Sequence, residues 1–376
     1  MIQVMTRRSR VLLALLIVLV AIGGGIALAL RSPAIVGYWF ERQARARFAE
    51  FTSRGDLGDD GLHVILCGTA SPLPDGNRAK ACTMVVAGGR AYVVDTGPES
   101  WKQLALMLFP ADRIAGVFLT HFHSDHIGDL GEFRLQTWVG GRRQPLPVYG
   151  GPGVDKIVDG FNLAYALDDK YRAAHHGPEV APIEAAPLVA KPFAVGMSDS
   201  RDGSQVVLDD NGLKVTAFEV YHEPVRPAVG YRFDYKGRSV VVSGDTTKWR
   251  NVTANAKGAD VLVHEAQSQR MRKTLSDAAQ AAGNKAVAKI FADIENYHAS
   301  PVDAAEVANA AGVKLLVFTH FTPPLVSSLL DPLFFDGVES VRPQSGWVIG
   351  FDGLRLDLPA NSDVIVQGKM PLGLLR

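Results

Sequence analysis

The chain of 376 residues has no surplus of charge, almost no cysteine and no internal repeat. Its 39 Lys and Arg are matched by 39 Asp and Glu, which speaks against a main task of gripping a nucleic-acid backbone, where a basic excess is usual. Two cysteines, Cys67 and Cys82, are too few for a disulfide-framework scaffold or a four-cysteine zinc site. Without a short period or a heptad run the chain is neither a solenoid nor a coiled coil. At 47% hydrophobic and 21% charged residues it is neither disordered nor wholly embedded in a membrane. What it does have is one long apolar run near its amino end and a distinctive placing of its histidines.

Residues 11–30 (VLLALLIVLVAIGGGIALAL) carry no charged or strongly polar side chain. Twenty helical residues span about 30 Å, the thickness of a bilayer's hydrocarbon core. The run is therefore expected to be a membrane anchor. Arg7, Arg8 and Arg10 before it favour a cytoplasmic amino end, which puts the rest of the chain in the periplasm; Arg31, Arg42, Arg45 and Arg47 after it pull the other way. Cleavage as a signal peptide at Ala27-Leu28-Ala29, with secretion, is the rival reading. Residues 34–52, with aromatics among arginines, read as a juxtamembrane helix or as a helix packed on the globular part, and 53–61 (SRGDLGDDG) read as a linker.

Four segments result: an anchor or signal over 1–31, a juxtamembrane helix and linker over 32–61, a catalytic domain over 62–360 and a tail over 361–376. In the domain, short β runs alternate with helical stretches. Strands are predicted at 62–67, 83–87, 91–94, 114–119, 213–221, 229–235, 239–243, 260–263 and 313–318, with a closing hairpin of 346–350 and 354–358 around Asp352-Gly353. Helices are predicted near 99–108, 128–137, 153–167, 270–293 and 301–311. Residues 175–200, rich in Ala and Pro and slightly acidic, read as a long loop or projection. This pattern indicates a layered α/β domain. Cys67 and Cys82 flank the loop 68–81 at the ends of two strands expected to pair, so a disulfide there is predicted in an oxidising compartment, against the alternative of two buried free thiols.

Thr120-His121-Phe122-His123-Ser124-Asp125-His126 directly follows a buried strand. Four potential ligands in six residues cannot face one way on a strand or a helix, but a loop that runs into a helix can splay them around two cations. Imidazole and carboxylate suit zinc, and a set without cysteine leaves positions open for water. Three further residues each lie just past a β run: His222 after TAFEVY, Asp245 after SVVVSG and His320 after KLLVFT. Alone, each would read as a turn residue or a core histidine. Together they predict that several strand ends converge on one metal site.

These residues carry a resemblance. THFHSDHIGD, then His222 before Gly230-Tyr231-Arg232, SGDTT, HEA and YHASPVDAA…FTHF, resemble the metallo-β-lactamase fold, and more narrowly its ribonuclease Z/arylsulfatase/cyclic-nucleotide phosphodiesterase branch. The similarity spans roughly residues 62–357. The opening loop Cys67-Gly68-Thr69-Ala70-Ser71-Pro72 also resembles that branch, with Ala70 where a second glycine is usual. The resemblance implies a four-layer αββα sandwich with the metals at one edge. It implies one zinc on His121, His123 and His222, a second on Asp125, His126 and His320, and Asp245 bridging both, with manganese or iron as substitutes. Asp95 matches a structural aspartate that supports the metal loop. His298 matches the branch's proton donor, Glu265 its orienting partner, and Asp125 doubles as ligand and catalytic carboxylate. His298 also precedes Ser300-Pro301, which read as an N-cap and first helical residue. His63, His175, His176 and His264 have no motif partner and read as structural.

A hydroxide held between two cations attacks phosphorus or sulfur, and a histidine acid helps most when the leaving group is poor. The expectation is an exported, anchored hydrolase of a phosphodiester or sulfate ester, acting on a small anionic ester and compatible with a homodimer. A ribonuclease Z-like tRNA 3′-processing endonuclease is the first alternative, and it sits poorly with export and with the acidic stretch 175–200. A lactonase or lactamase, or a non-catalytic zinc protein, comes after it. Arg134, Arg142 and Arg143 are candidates for holding an anion, against the plain reading of solvated arginines.

Overall fold

Along the central strands, successive side chains face two different apolar layers, and that alternation builds the body. In the computed structural model, which describes residues 7–53 and 60–371, the chain separates near residue 54 into two compact units. The smaller unit holds α1 (Arg7–Ala29) and α2 (Pro33–Ser53). Helix α1 is 23 residues long with a mean hydropathy of 3.0 in its most apolar window and no buried side chain, so by length and composition it can cross a membrane. Residues 54–59 of the expected linker lie outside the described residues.

The larger unit begins with β1 (Gly61–Gly68), β2 (Cys82–Ala87), β3 (Arg90–Val94), β4 (Ile114–Phe118), β5 (Leu146–Gly150) and β6 (Leu188–Pro192). A second sheet takes β7 (Ser204–Asp210), β8 (Leu213–Glu219), β9 (Val229–Tyr235), β10 (Arg238–Val242), β11 (Val261–Gln267), β12 (Leu315–Thr322) and β13 (Trp347–Ile349). The chain then returns to the first sheet with β14 (Leu354–Pro359) and β15 (Val366–Lys369). Strand order is β15-β14-β1-β2-β3-β4-β5-β6 in the first sheet and β13-β12-β11-β10-β9-β8-β7 in the second.

Strand β1 is buried throughout, as a strand covered on both faces must be. Leu62, Val64 and Leu66 pack with Val215, Tyr231, Val240 and Val263 of the facing sheet, while Ile65 and Cys67 face outward. The outward layer is covered by α3 (Ser100–Leu106), which precedes the short α4 (Ser124–Ile127), and by α5 (Leu130–Val139) and α6 (Val154–His176), which follow it. On the far side, α7 (Arg250–Asn255) packs on the second sheet, and after α8 (Gln269–Ala281) and α9 (Lys285–Asp293) so does α10 (Pro301–Ala311). Helix, sheet, sheet, helix: this is the four-layer αββα sandwich.

Two expectations are corrected and a third is refined. Residues 346–358 form no hairpin, because β13 pairs parallel with β12 while β14 pairs antiparallel with β1 in the other sheet. Residues 175–200 are not one long loop. They hold the end of α6, a 3-10 turn whose Ala185 packs with Trp138, and β6, which pairs parallel with β5. Within the C-terminal tail 361–376, Val366–Lys369 form β15 and pair with β14, while residues 372–376 lie outside the described residues.

Cys67 and Cys82 stand on neighbouring strands, 4.9 Å apart at Cα, and form a disulfide. Closing the loop 68–81 restricts the unfolded chain, an effect of about 3 kcal/mol for a loop of this length. The double variant Cys67→Ala/Cys82→Ala is expected to melt about 5 °C lower by calorimetry. An unchanged melting temperature would mean that the cross-link contributes nothing.

Candidate metal centre

Strands β8, β10 and β12 run in one direction, because β9 is antiparallel to both of its neighbours and β10, β11 and β12 are mutually parallel. Their carboxyl ends meet that of β4 at one edge of the sandwich, and every metal-ligand candidate from the sequence lies there. After β4 the chain passes His121 and His123 in extended form and enters α4 with His123 as the preceding residue, so Asp125 and His126 are turned round to the same centre. His222 follows β8 and Asp245 follows β10. Contrary to the expectation that His320 follows a strand, it lies inside β12. There the pairing with β11 skips from Thr319 to Phe321, leaving His320 as the bulged residue at φ 50°. A bulge re-aims one side chain without ending the strand.

Two triads result. Ligand atoms of His121, His123 and His222 lie within 4.8 Å of one another, and so do those of Asp125, His126 and His320. Asp245 stands between them: its Oδ2 is 3.4 Å from His126 Nε2, 3.8 Å from His222 Nε2 and 4.0 Å from His121 Nε2, and its Oδ1 is 3.5 Å from His320 Nε2.

Partners behind the imidazoles fix which nitrogen faces inward. Asp95 accepts from the Thr120 amide and hydroxyl and from His126 Nδ1 at 2.8 Å, leaving His126 Nε2 to the centre. His222 Nδ1 donates to the Tyr297 carbonyl at 3.0 Å. His298 Nδ1 donates to Glu265 Oε1 at 2.9 Å, and the same oxygen accepts the Thr246 amide. Ser300 caps α10 in a capping box with Asp303, with Pro301 in the first turn, so the backbone just past His298 is anchored.

Burial drives His121 well below the usual histidine range and holds His222 down at about 3. Burial also opposes a charge on His126 and His298, but nearby carboxylates outweigh it. Asp245, Asp125 and Asp95 raise His126, and Glu265 followed by Asp245 raises His298. Burial pushes Asp125 up, yet His126 and His320 hold it at about 2; the same opposition keeps Asp245 well below the carboxylate range. A bound cation needs ionised carboxylates and neutral imidazoles; Asp125, Asp245, His121 and His222 lean that way already, whereas His126, raised by its carboxylates, would give up its proton to a metal. His222 Nε2 is buried with no hydrogen-bond partner although it faces this centre. An unpaired buried polar atom costs about 1–3 kcal/mol, and a cation would satisfy it.

The other candidates go elsewhere. Arg134 is buried against Asp169 and Asn162, and Arg142 donates to the carbonyls of Arg134 and Ala186, so both clamp the fold rather than meet an anion or solvent. Arg143 is exposed. His63 pairs with Asp357 at 2.6 Å and His264 is buried in β11, while His175 and His176 end α6. Glu265 lies within β11 rather than at the end of a shorter strand. Sequence reasoning passed over Tyr297, whose ring lies 3.9 Å, centroid to centroid, from that of His222 and 5.0 Å from that of His298. Its only signal was adjacency to His298.

Compared with known proteins, residues 90–321 match the family model described as a β-lactamase superfamily domain. A ribonuclease Z of Mycolicibacterium gilvum is 35% identical over 267 residues, covering 70% of this chain and 85% of that protein. A ribonuclease Z of Mycobacterium avium is 37% identical over 269 residues, covering 71% and 88%. Among solved structures, the metallo-β-lactamase fold protein YhfI of Bacillus subtilis aligns over 82% of this chain and 100% of its own, with a TM-score of 0.55 at 19% identity. The short form of human tRNase Z aligns over 79% and 99%, with a TM-score of 0.54 at 21% identity. These relatives weaken the expectation against a nucleic-acid partner. That expectation rested on the charge balance of the whole chain, on export and on the slightly acidic stretch 175–200, and overall charge carries no information about the surface beside one site.

Proposed function

The chain belongs to the β-lactamase superfamily and, within it, to the ribonuclease Z-like branch, and from that premise we propose that it is a two-zinc phosphodiesterase whose substrate class is RNA with a 3′ extension. One observation carries the reading: two ligand triads share Asp245, with His298 held against Glu265 beside them.

His121, His123 and His222 would hold one cation, and Asp125, His126 and His320 the other, with Asp245 touching both. Zinc suits imidazole and carboxylate, and manganese or iron accept the same donors. Two bound divalent cations supply an activated water and neutralise charge on phosphoryl oxygens. The protein's own share is positioning and proton transfer. Asp95 and the Tyr297 carbonyl fix His126 and His222 so that Nε2 of each faces the centre. Glu265 fixes His298 in the same way. His298 Nε2 is then the group placed to give a proton to the departing oxygen.

A second reading keeps the chemistry and changes the substrate to a small anionic diester outside the cytoplasm. It is favoured by α1, with Arg7, Arg8 and Arg10 holding the amino end inside, and by the Cys67–Cys82 disulfide, which suits an oxidising compartment. The RNA reading needs the body on the cytoplasmic face, where Arg31, Arg42, Arg45 and Arg47 would hold it.

The test offers zinc-loaded full-length protein a 3′-extended precursor tRNA, bis(p-nitrophenyl) phosphate and an aryl sulfate. Both diesters are expected to be cleaved. Cleavage of the small diester alone favours the second reading, and turnover of the sulfate alone returns the site to sulfate esters. If no ester is cleaved by protein holding two metal ions per chain, the hydrolase reading is lost.

A further inference from the structure

Around the centre, six of the seven residues of the two triads and Asp245 are buried, as is His298. Of the rings gathered there, His123 and Tyr297 are the ones that are only partly buried, so the opening towards solvent lies on their side. Their ring centroids are 6.4 Å apart. Tyr297 is held firmly. Its carbonyl accepts from His222 Nδ1, one side of its ring lies along His222 at an interplanar angle of 34°, and it meets His298 edge-on at 86°. Its hydroxyl makes no hydrogen bond among the described residues. A fixed aromatic ring therefore presents a free O–H at the mouth of a site whose own open groups are imidazoles and carboxylates.

We propose that the Tyr297 hydroxyl is a substrate-positioning donor that hydrogen-bonds a non-bridging oxygen of the phosphodiester as it enters between Tyr297 and His123. The inference rests on the phosphodiesterase reading above and deepens it. Carboxylates can only accept, the inward nitrogens of the triad imidazoles are committed to the centre, and His298 serves the departing oxygen, so the rim hydroxyl is the protein donor left for a non-bridging oxygen. A tyrosine has two side-chain torsions to fix, which makes it a low-cost rigid anchor with a polar tip. A hydrogen bond from a neutral donor to a charged group is worth about 1.5–3 kcal/mol, or ten- to a hundredfold in affinity.

The test uses zinc-loaded full-length protein and the variants Tyr297→Phe and Tyr297→Leu. Tyr297→Phe keeps the ring on His222 and removes only the O–H. It is expected to raise KM for bis(p-nitrophenyl) phosphate about tenfold, with the change falling on KM rather than kcat and with zinc content at the wild-type value. Inorganic phosphate, titrated calorimetrically into the same protein, is expected to bind about tenfold more weakly. If Tyr297→Phe matches wild type within twofold in both KM and phosphate affinity while Tyr297→Leu is impaired, the ring merely supports His222 and the proposal is overturned. Failure of the wild type to cleave any diester would count against the phosphodiesterase reading instead, while the phosphate titration would still decide the role of the hydroxyl.

Discussion

Replacing His298 with alanine is expected to cut turnover of a phosphodiester with a basic leaving oxygen, such as RNA, by about 10²–10⁴-fold while both metal ions stay bound. The imidazole belongs to neither triad, so its loss removes no atom from either set. It lies beside them all the same: Nδ1 is 4.0 Å from Asp245 Oδ2 and is held by Glu265 Oε1 at 2.9 Å. A proton donor matters in proportion to the basicity of the oxygen it serves. The loss should therefore be large for RNA, whose leaving ribose oxygen is strongly basic, and small for bis(p-nitrophenyl) phosphate, whose leaving phenolate needs little help. Glu265→Gln, which keeps a hydrogen-bond acceptor but removes the charge, should show a weaker version of the same leaving-group dependence. Equal losses on both substrates would remove His298 from proton transfer and leave it a structural role.

The catalytic edge was legible in the sequence wherever chemistry and strand pattern coincide. The cluster from His121 to His126 announces itself because four ligands in six residues have no use in an ordinary loop. His222 and Asp245 were readable as polar residues ending apolar strands. His320 was read as a fourth such ending, and the bulge that actually turns it inward was not visible, because a bulge arises from pairing with β11 and leaves no mark on apolar periodicity. Trp347–Ile349 and Leu354–Pro359 failed for a related reason. Two short strands around Asp352-Gly353 have the local look of a hairpin, yet they complete different sheets, and local pattern does not name a strand's partner. Arg134 and Arg142 show the limit for charge. Arg134 is buried against the Asn162 amide and the Asp169 carboxylate, 28 and 35 residues on, and Arg142 donates to the Ala186 carbonyl, 44 residues on. Tyr297 became informative only when the end of β8 and the approach to α10 were seen to meet.

Asp245→Asn is expected to have the largest effect, because one carboxylate serves both triads. Its two oxygens lie within 4.0 Å of nitrogens from His121, His126, His222, His298 and His320. Asparagine keeps the shape but not the negative charge, and it turns one oxygen into an amide nitrogen that donates where an acceptor is required. Turnover should fall by at least about 10³-fold, in the range seen when a group stabilising developing charge is lost, and bound metal should drop from two ions to one or none. Stability gives a reading independent of activity. A ligand that binds only the folded state stabilises it by about 2.7 kcal/mol at a hundred times its dissociation constant. Zinc should therefore raise the melting temperature of the metal-free wild type by several degrees, and a chelator should reverse the rise. The metal-free variant should gain little from zinc, since like-charge repulsion between two cations would no longer be offset by a shared anion. His298→Ala should respond to zinc as the wild type does, which separates the residue that holds metal from the one that moves a proton. Should Asp245→Asn bind two zinc ions and show the full wild-type rise in melting temperature, the shared-carboxylate account of this centre would have to be abandoned.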